Sequence, residues 1–283
     1  MKTKQMQNRK VAAFLLTAAT ALMLTGCAPK TPEAVLDRAS IKSMVDQTAS
    51  CENDTEMRVG LKAGKQEFST EMKIKSEILT KPSYKAHMVM DTSITRMAPM
   101  KMEAYVMEDG DHYLLYMDAG TGKWEKQFVG KDEISSKLDQ IGMSATQTNY
   151  MNYRNGMSNL TMNEETVNGV AAYHVVGDCS VAELQEDADS MLSSMGMDDS
   201  KIDWASIKPL KVEFWVNKKN YEPIKFSCDM TEMMQQLVDQ AGGASSPVKI
   251  EVTEAFISNV WSNFGGVADF DVSKEASEAL FKN

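Results

Sequence analysis

Cysteine is scarce in this 283-residue chain, and the four cysteines form no C-x-x-C pair. Structural zinc sites and thioredoxin-type redox centres use closely spaced thiols, so the sequence favours neither. Apart from Cys27, which belongs to an N-terminal motif, the chain has Cys51, Cys179 and Cys228. Three thiols allow at most one disulfide. We expect Cys228 to be a buried free thiol on the apolar side of its strand, while a disulfide between Cys179 and either partner stays open.

Histidine is rarer still, and the motifs of common enzyme classes are missing. His87, His112 and His174 lie far apart, and the chain contains no HExxH, GxSxG or glycine-rich phosphate loop. Such motifs supply metal ligands, nucleophiles or phosphate-binding amides. The aspartates at 187–203 lack the D-x-D-x-D-G spacing of a calcium loop. We therefore expect no enzymatic activity, no metal and no cofactor; the alternative is an enzyme whose histidines and acids meet only in the fold.

Positive charge is also in short supply. Lys and Arg number 30 against 40 Asp and Glu, and the net charge is −10. Residues 1–26 contain four positive charges and no negative ones, so the remainder of the chain has a net charge of about −14. An acidic surface is repelled by phosphates and by anionic lipid headgroups. We expect no nucleic-acid partner and no electrostatic attachment to a membrane.

The chain begins with a recognisable targeting pattern. Four basic residues within positions 2–10 precede an apolar run at 11–24, which is too short to span roughly 30 Å of hydrocarbon. This arrangement is typical of a secretory signal peptide. The residues LTGC that close it resemble the lipobox of bacterial lipoproteins, which implies a diacylglycerol on Cys27 and removal of residues 1–26. The alternative is an ordinary signal peptide followed by a coincidental cysteine.

Lipidation would fix the location of the protein. Two acyl chains anchor a protein stably, whereas one is marginal. We expect a protein held at the cell membrane on its extracytoplasmic face, with Cys27 as its link to the membrane. Residues 27–32 then form a lipidated tether, and residues 33–283 form a single domain, because no low-complexity linker divides them.

Helices are expected at four places. Thr31, Pro32 and Glu33 supply an N-cap, a first-turn proline and an acid in the first turn, which predict a helix to about residue 49. Further helices are predicted at 131–141, 181–195 and 231–238, and a polar loop is predicted at 142–156.

Most of the chain alternates apolar and polar residues, as strands of a half-buried sheet do. Strands are predicted at 67–78, 84–94, 100–106, 113–117, 123–129, 157–167, 170–179, 210–216, 224–230 and 248–260. The pair Asn168-Gly169 predicts a tight hairpin. Short connections between successive strands favour an antiparallel meander, so we expect an α+β fold.

Methionine is the compositional anomaly: 23 in the chain, of which 20 follow residue 26. Thioether side chains are flexible and polarisable, so a surface lined with them adapts to apolar ligands of different shapes. The alternative is that these methionines only fill an ordinary hydrophobic core. Trp215 is a second unusual feature, because it falls on the outward register of its strand. A tryptophan there would need covering by another element or by a partner.

Several segments of the sequence resemble those of a known protein family. They are YVMEDGDHYLLY at 105–116, GKWEK at 122–126, VNGVAAYHV at 167–175 and FWVNKKNYEPI at 214–224. Together with the lipobox and the order of elements, they resemble LolA/LolB-like proteins, and within these the LppX/LprG-like lipoproteins of Gram-positive envelopes. The resemblance implies a strongly curved antiparallel sheet, a half-barrel, packed around helices with an apolar cavity that receives acyl chains.

We therefore expect a lipoprotein that binds or transports a lipid or other apolar ligand between sheet and helices. The residues expected to line the cavity are Met72, Ile74, Met88, Met90, Met100, Met102, Phe214, Phe226, Met230 and Met234. The alternative is a surface-tethered module with a filled core, which senses or binds a protein through an exposed apolar patch, for which Trp215 is the candidate.

Overall fold

The computed structural model describes residues 31–44, 50–131, 133–134, 154, 156–181, 202–242 and 249–282. The signal segment, Cys27 and the tether before residue 31 lie outside these ranges. So do the predicted helices at 131–141 and 181–195 and the predicted loop at 142–156, apart from a few residues at their ends.

The described residues form one 12-stranded sheet. Its strands are β1 Ser50–Ala63, β2 Gln66–Leu79, β3 Lys85–Ile94, β4 Met100–Asp109, β5 His112–Asp118, β6 Glu125–Gly130, β7 Met157–Val167, β8 Val170–Cys179, β9 Leu210–Asn217, β10 Pro223–Asp229, β11 Ile250–Ser262 and β12 Leu280–Phe281. The spatial order is β12-β6-β5-β4-β3-β2-β1-β11-β10-β9-β8-β7, so the sheet is open, with β12 and β7 at its edges. Pairing is antiparallel except between β12 and β6. The expected α+β class and antiparallel meander are confirmed.

The hairpin at Asn168-Gly169 shows how closely local chemistry fixes the strands. β7 and β8 have the predicted bounds, and Val167 pairs with Val170 across the turn. Asn168 and Gly169 have φ values of 51° and 79°. A two-residue hairpin with a type I′ turn needs left-handed backbone at both positions, which asparagine and glycine adopt most readily.

Two helices pack on the sheet. In α1, Pro32–Met44, the Thr31 side chain accepts a hydrogen bond from the Ala34 amide at 3.3 Å, as the predicted N-cap requires. Its buried residues Val35, Leu36 and Ala39 face β7, β8 and β9. α2, Thr231–Gly242, packs on β11, and the buried residues of its apolar side are Met233, Met234, Leu237 and Val238. A four-residue α3, Lys274–Ser277, and a 3₁₀ turn, Trp204–Ser206, complete the described helices.

The two faces of the sheet differ in chemistry. On β2, Ile74 and Ser76 are buried, whereas Lys73, Lys75 and Glu77 are exposed. We call the face of Ile74, on which the two large hydrophobic clusters lie, the inner face, and the opposite face the outer face. The predicted alternation of β2, β3 and β4 is confirmed, although Phe68, at the far end of β2, is 42% exposed.

The central strand β1 and the edge strand β12 had no counterpart in the sequence prediction. β1 pairs along its whole length with β2 and β11, yet its inner residues include Asn53 and Thr55. Its inner register becomes apolar only further on, at Met57, Val59 and Leu61.

The structure corrects the predicted face of Ile224. Regular alternation over the predicted strand 224–230 places Ile224 on the face of Phe226 and Cys228. The pairing of β10 with β9, however, shifts register between Pro223 and Lys225. A bulge of this kind reverses the direction of the side chains beyond it. Ile224 accordingly packs with Trp215 and Ala172 in a separate small cluster, while Phe226 and Cys228 join the main core.

The segment after β11 crosses the outer face before it reaches β12. Lys85 on β3 donates hydrogen bonds to the Asp269 carboxylate at 2.7 Å and the Phe270 carbonyl at 2.9 Å. The hydrogen bond from Lys85 lowers the pKa of Asp269. This contact explains how a two-residue strand, β12, joins the sheet beside β6.

Candidate functional site

The inner face has two hydrophobic clusters. The methionine cluster has a buried core of Ile74, Ala86, Met88, Met90, Ala104, Val106, Leu115 and Val129, on β2 to β6. The helix-covered cluster, on β7 to β11, includes the apolar residues of α1 and α2. The inner face is therefore apolar over most of its width. Helices α1 and α2 pack against one end of it, and the methionine cluster lies at the other end.

Nine of the ten residues expected to line a cavity lie in these clusters. Met72 and Met102 pack against the methionine cluster, to which Ile74, Met88 and Met90 belong. Phe214, Phe226, Met230 and Met234 belong to the helix-covered cluster. Met100 departs from the expectation: it is 44% exposed, because it lies at the start of β4, beyond the buried part of the sheet.

The two clusters are covered differently in the described part of the chain. The helix-covered cluster packs against α1 and α2. Outside the strands, the methionine cluster is contacted by Ile134 and by Tyr84. Burial raises the pKa of Tyr84 to about 12, and its ring meets Tyr113 edge-on with centroids 5.6 Å apart. α1 and α2 therefore do not cover the methionine cluster, although its core residues are at most 4% exposed.

A polar seam separates the clusters and was not predicted. It consists of Ser76 on β2, Asn53 and Thr55 on β1, and Asn259 on β11, each at most 6% exposed. The Thr55 hydroxyl lies 2.9 Å from Asn53 Oδ1 and 2.5 Å from Asn259 Oδ1. Asn53 Nδ2 is buried and has no hydrogen-bond partner in the described structure. Buried amides are almost always hydrogen-bonded, so this atom is an exception that needs an explanation.

All three cysteines in the described residues are free thiols, so the disulfide left open by the sequence does not form. Cys179 and Cys228 are buried in the helix-covered cluster, which confirms the position expected for Cys228. Burial raises the pKa of Cys228 strongly and that of Cys51 to about 11. The thiolate is the reactive form, so neither Cys51 nor Cys228 is activated for chemistry.

We expect the three thiols to be nearly inert in the folded protein. In a Cys27→Ser variant at pH 8, a thiol-specific reagent should modify Cys51, Cys179 and Cys228 slowly in buffer and all three rapidly in denaturant. Rapid labelling of Cys228 under native conditions, or fewer than three thiols after denaturation, would contradict the structure. Mass spectrometry of the labelled peptides identifies the site.

On the outer face, Trp215 has the predicted register but is only 7% exposed. Its ring stacks on His174 with centroids 4.3 Å apart and planes 7° apart, and Lys225 Nζ lies 4.5 Å from its centroid. Its indole N–H donates to the Glu165 carboxylate. Trp215 is therefore covered by neighbours on its own sheet, and the exposed patch that the alternative hypothesis placed there does not exist.

A second cluster of the same kind lies on β2 to β4. The His87 ring stacks on Tyr105 with centroids 4.4 Å apart, and its nitrogens lie 3.2 Å from Glu77 and 2.9 Å from Glu103. The sequence signal that reveals the pair is a repeated phrase, KMEAYV at 101–106 and KVEFWV at 211–216. Each histidine is paired by register with the aromatic residue of its phrase.

Neither histidine cluster has the features of a catalytic pair. His174 Nε2 lies 2.7 Å from Glu213, but that carboxylate is 35% exposed rather than buried. His112 is exposed at the start of β5, directly after a tight turn. Among the described residues, no group of three or more His, Cys, Asp or Glu side chains is arranged to hold a metal ion. No described helix combines the length and the apolar character needed to cross a bilayer.

An exposed apolar patch and a cleft lie at the β6/β12 edge. Phe128 and Phe281 are 57% and 50% exposed, and their rings stack with centroids 5.1 Å apart. Beside them, an open cleft of about 680 Å³ is lined by residues that include Trp124 and Leu280. Glutamate and lysine side chains share its walls, so it is more polar than the inner face.

Fold and inner face together define the chain as an α+β protein built on one large open sheet with a buried apolar face. The chain belongs to DUF6612, a family of unknown function whose model matches residues 31–279. No curated protein matches it.

Solved structures with some similarity include a DUF1329 family protein from Desulfovibrio piger, with 13% identity, coverage of 82% of this chain and 91% of that chain, and a TM-score of 0.23. A proposed outer membrane lipoprotein-sorting protein domain from Vibrio parahaemolyticus has 12% identity, coverage of 82% and 92%, and a TM-score of 0.26. A beta-barrel-like DUF1849 protein from Brucella abortus has 6% identity, coverage of 76% and 97%, and a TM-score of 0.24. Such low TM-scores support no conclusion about function, and the LppX/LprG-like grouping stays a prediction.

Proposed function

We propose that this protein is a membrane-anchored extracytoplasmic lipoprotein that binds a lipid or other apolar ligand on the inner face of its sheet. The observation that supports the proposal is the methionine cluster. It extends over five strands, and α1 and α2 pack elsewhere.

The shape of the sheet favours a ligand between sheet and covering elements. Open, strongly twisted sheets of more than about ten strands curl, split into two packed sheets or flatten. A 12-stranded sheet that curls towards its apolar face encloses that face, as the resemblance to LolA/LolB-like proteins implies. Met72 and Met102, which are only partly buried, line this face beside the fully buried Met88 and Met90.

Anchoring follows from the N-terminal pattern. A lipid on Cys27 would hold an acidic domain at a membrane that its charge does not attract. We also propose that the protein is not an enzyme. The contacts of His87 and His174 support this, because each ring stacks on an aromatic side chain, and the carboxylates beside them are partly exposed.

The exposed patch of Phe128 and Phe281 favours a second candidate, a tethered module that binds a protein at the β6/β12 edge. This candidate predicts a filled interior. The two functions therefore differ in whether the purified protein contains an extractable apolar molecule.

We expect lipid to co-purify with the protein. The test uses residues 27–283 with Cys27→Ser, so that no covalent lipid is attached, followed by native mass spectrometry and solvent extraction. A bound apolar molecule at near-stoichiometric amounts is the expected result. Protein that is free of lipid and fails to bind a fluorescent fatty acid would contradict the proposal.

Methionine-to-glutamine variants locate the ligand, because glutamine is of similar length and unbranched but polar. We expect Met72→Gln and Met102→Gln each to weaken binding of the fluorescent fatty acid by about fivefold or more, since the ligand would contact an uncompensated amide. Met97→Gln is the matched control, because Met97 is 58% exposed in the β3–β4 turn. Equal effects in all three variants would place the ligand elsewhere.

A further inference from the structure

The β1–β2 and β3–β4 hairpins turn at the same end of the sheet and expose apolar side chains there. Phe68, Met97 and Met100 are 42%, 58% and 44% exposed. The two hairpins are joined close to these residues, because the Thr95 amide donates to the Ser69 carbonyl at 2.9 Å and the Ser69 amide donates to the Thr95 hydroxyl at 2.7 Å. We call Phe68, Met97 and Met100 the apolar tip.

Basic side chains accompany the apolar tip. The segments that form it, 62–67 and 95–101, contain four basic residues: Lys62, Lys65, Arg96 and Lys101. The acids beside them are Glu67 and Asp91, the register partner of Lys101. The Arg96 guanidinium lies 5.8 Å from the centroid of the Phe68 ring. Positive charge therefore prevails at the tip, although the whole chain has a net charge of −10.

The apolar tip leads directly into the methionine cluster. Along the inner register of β4, Met100 is 44% exposed, Met102 is half-buried and Ala104 is fully buried. Thr92 on β3 pairs with Met100 and also with Met72 on β2, so these residues share the inner face. The inner face thus changes step by step from an exposed apolar end to a buried apolar core.

We propose that the apolar tip is a membrane-contact surface, which inserts Met97 and Met100 among the headgroups of a bilayer that contains anionic lipid. The inference rests on the proposed function, and it assigns the end of the sheet at which the lipid enters. A lipid passes between the bilayer and the methionine cluster along Met100 and Met102.

The chemistry of the tip matches a bilayer surface. Interfacial binding combines buried apolar side chains with attraction of Lys and Arg to anionic headgroups. Lys65, Arg96 and Lys101 are exposed, and such side chains place their charge among headgroups while their stems follow the apolar surface. A lipid on Cys27 would also keep the domain beside the membrane, which raises the effective concentration of the bilayer at the tip.

The local charge outweighs the net charge at this contact. Attraction to an anionic bilayer acts over about one Debye length, which is about 8 Å in physiological salt. The basic residues of the tip lie within that distance when the tip touches the headgroups, whereas the acids on the rest of the sheet are screened. The expectation of no electrostatic attachment, drawn from the net charge, therefore changes for a protein that meets the membrane with its tip.

The test uses residues 27–283 with Cys27→Ser, which has no lipid anchor, and vesicles of phosphatidylcholine with or without phosphatidylglycerol. Co-sedimentation should show tighter binding to the anionic vesicles, and added salt should weaken it. Lys65→Gln and Arg96→Gln should each weaken binding by about fivefold, the effect of one basic residue at an anionic surface. Lys219→Gln is the matched control, because Lys219 is exposed in the β9–β10 turn at the opposite end of the sheet, and it should leave binding unchanged.

Met97→Gln tests the apolar contribution separately. It should weaken vesicle binding by about threefold or more, because a polar amide replaces a side chain that leaves water. Its equilibrium affinity for the fluorescent fatty acid in solution should stay unchanged, because Met97 lies in the turn, outside the methionine cluster. This difference between the two measurements separates membrane contact from ligand binding.

Four results would overturn the inference. They are no binding of the wild-type chain to either kind of vesicle, equal binding to both kinds, equal losses in Arg96→Gln and Lys219→Gln, and full vesicle binding by Met97→Gln. In each case the proposed function survives if the same unanchored chain binds the fluorescent fatty acid. Failure to bind the fatty acid would overturn the proposed function itself.

Discussion

Replacing Phe214 with alanine should lower the free energy of unfolding by about 3–5 kcal/mol, the range for truncating a buried aromatic residue. Phe214 is 1% exposed, and its ring lies 5.1 Å from that of Phe226 in the helix-covered cluster. Truncation leaves a cavity between β9 and the neighbouring core that a rigid sheet cannot close. Denaturant-induced unfolding, followed by tryptophan fluorescence, measures the loss.

Phe68→Ala is the control for this prediction. Phe68 also lies on the inner register of its strand, but it is 42% exposed at the end of β2. We expect its truncation to cost less than about 1 kcal/mol, as for most exposed positions. Equal losses at the two positions would mean that the helix-covered cluster is loosely packed, and that Phe214 faces open space rather than core.

The sequence predicted those strands in which one face is apolar. β3, β4, β7, β8 and β9 were placed within a few residues, because alternation and turn residues such as Asn168-Gly169 act locally. The same alternation assigned Ile74, Met88 and Met90 to the inner face correctly. Local pattern is sufficient wherever the burial of a strand is one-sided.

Features determined by distant partners could not be predicted in this way. β1 is central because β2 and β11 pair with it on both sides, and the polar residues Asn53 and Thr55 interrupt the apolar alternation of its inner register. β12 depends on the path of the segment after β11, which Lys85 holds. The bulge beside Ile224 changes the face of that residue without any glycine or proline signal at the residue itself.

The candidate site was predicted in its apolar part and missed in its polar part. Methionines at alternate positions indicate an adaptable apolar face in sequence alone. The seam, by contrast, brings Thr55 and Asn259 into contact across 204 positions of sequence. Neither residue differs in sequence from an ordinary polar position, so only the register of β1 against β11 reveals their burial.

Trp215→Ala should also be strongly destabilising, by about 3 kcal/mol, although Trp215 lies on the outer face. The reason is its enclosure: His174 stacks on one side, Lys225 Nζ lies 4.5 Å from its ring centroid, and Ala172 and Ile224 pack against it. The hypothesis of a partner surface at Trp215 predicts the opposite, namely little change in stability and loss of partner binding.

A double-mutant cycle with His174→Ala separates ring stacking from general packing. We expect a coupling energy of about 0.5–1.5 kcal/mol, the range for aromatic pairs, in unfolding experiments at constant pH. Coupling near zero would show that the stacked geometry contributes nothing, and a total loss below about 1 kcal/mol for Trp215→Ala would show that the indole is not packed as the structure has it.

Trp215 and Phe214 are consecutive residues on opposite faces, so together they test which face holds the ligand. Trp215 belongs to a cluster separate from those of the inner face, together with Ala172, Ile224 and Val167. At temperatures where Trp215→Ala remains folded, we therefore expect unchanged affinity for the fluorescent fatty acid. Weakened binding by the folded variant would place the ligand on the outer face, and the inner-face proposal would fail.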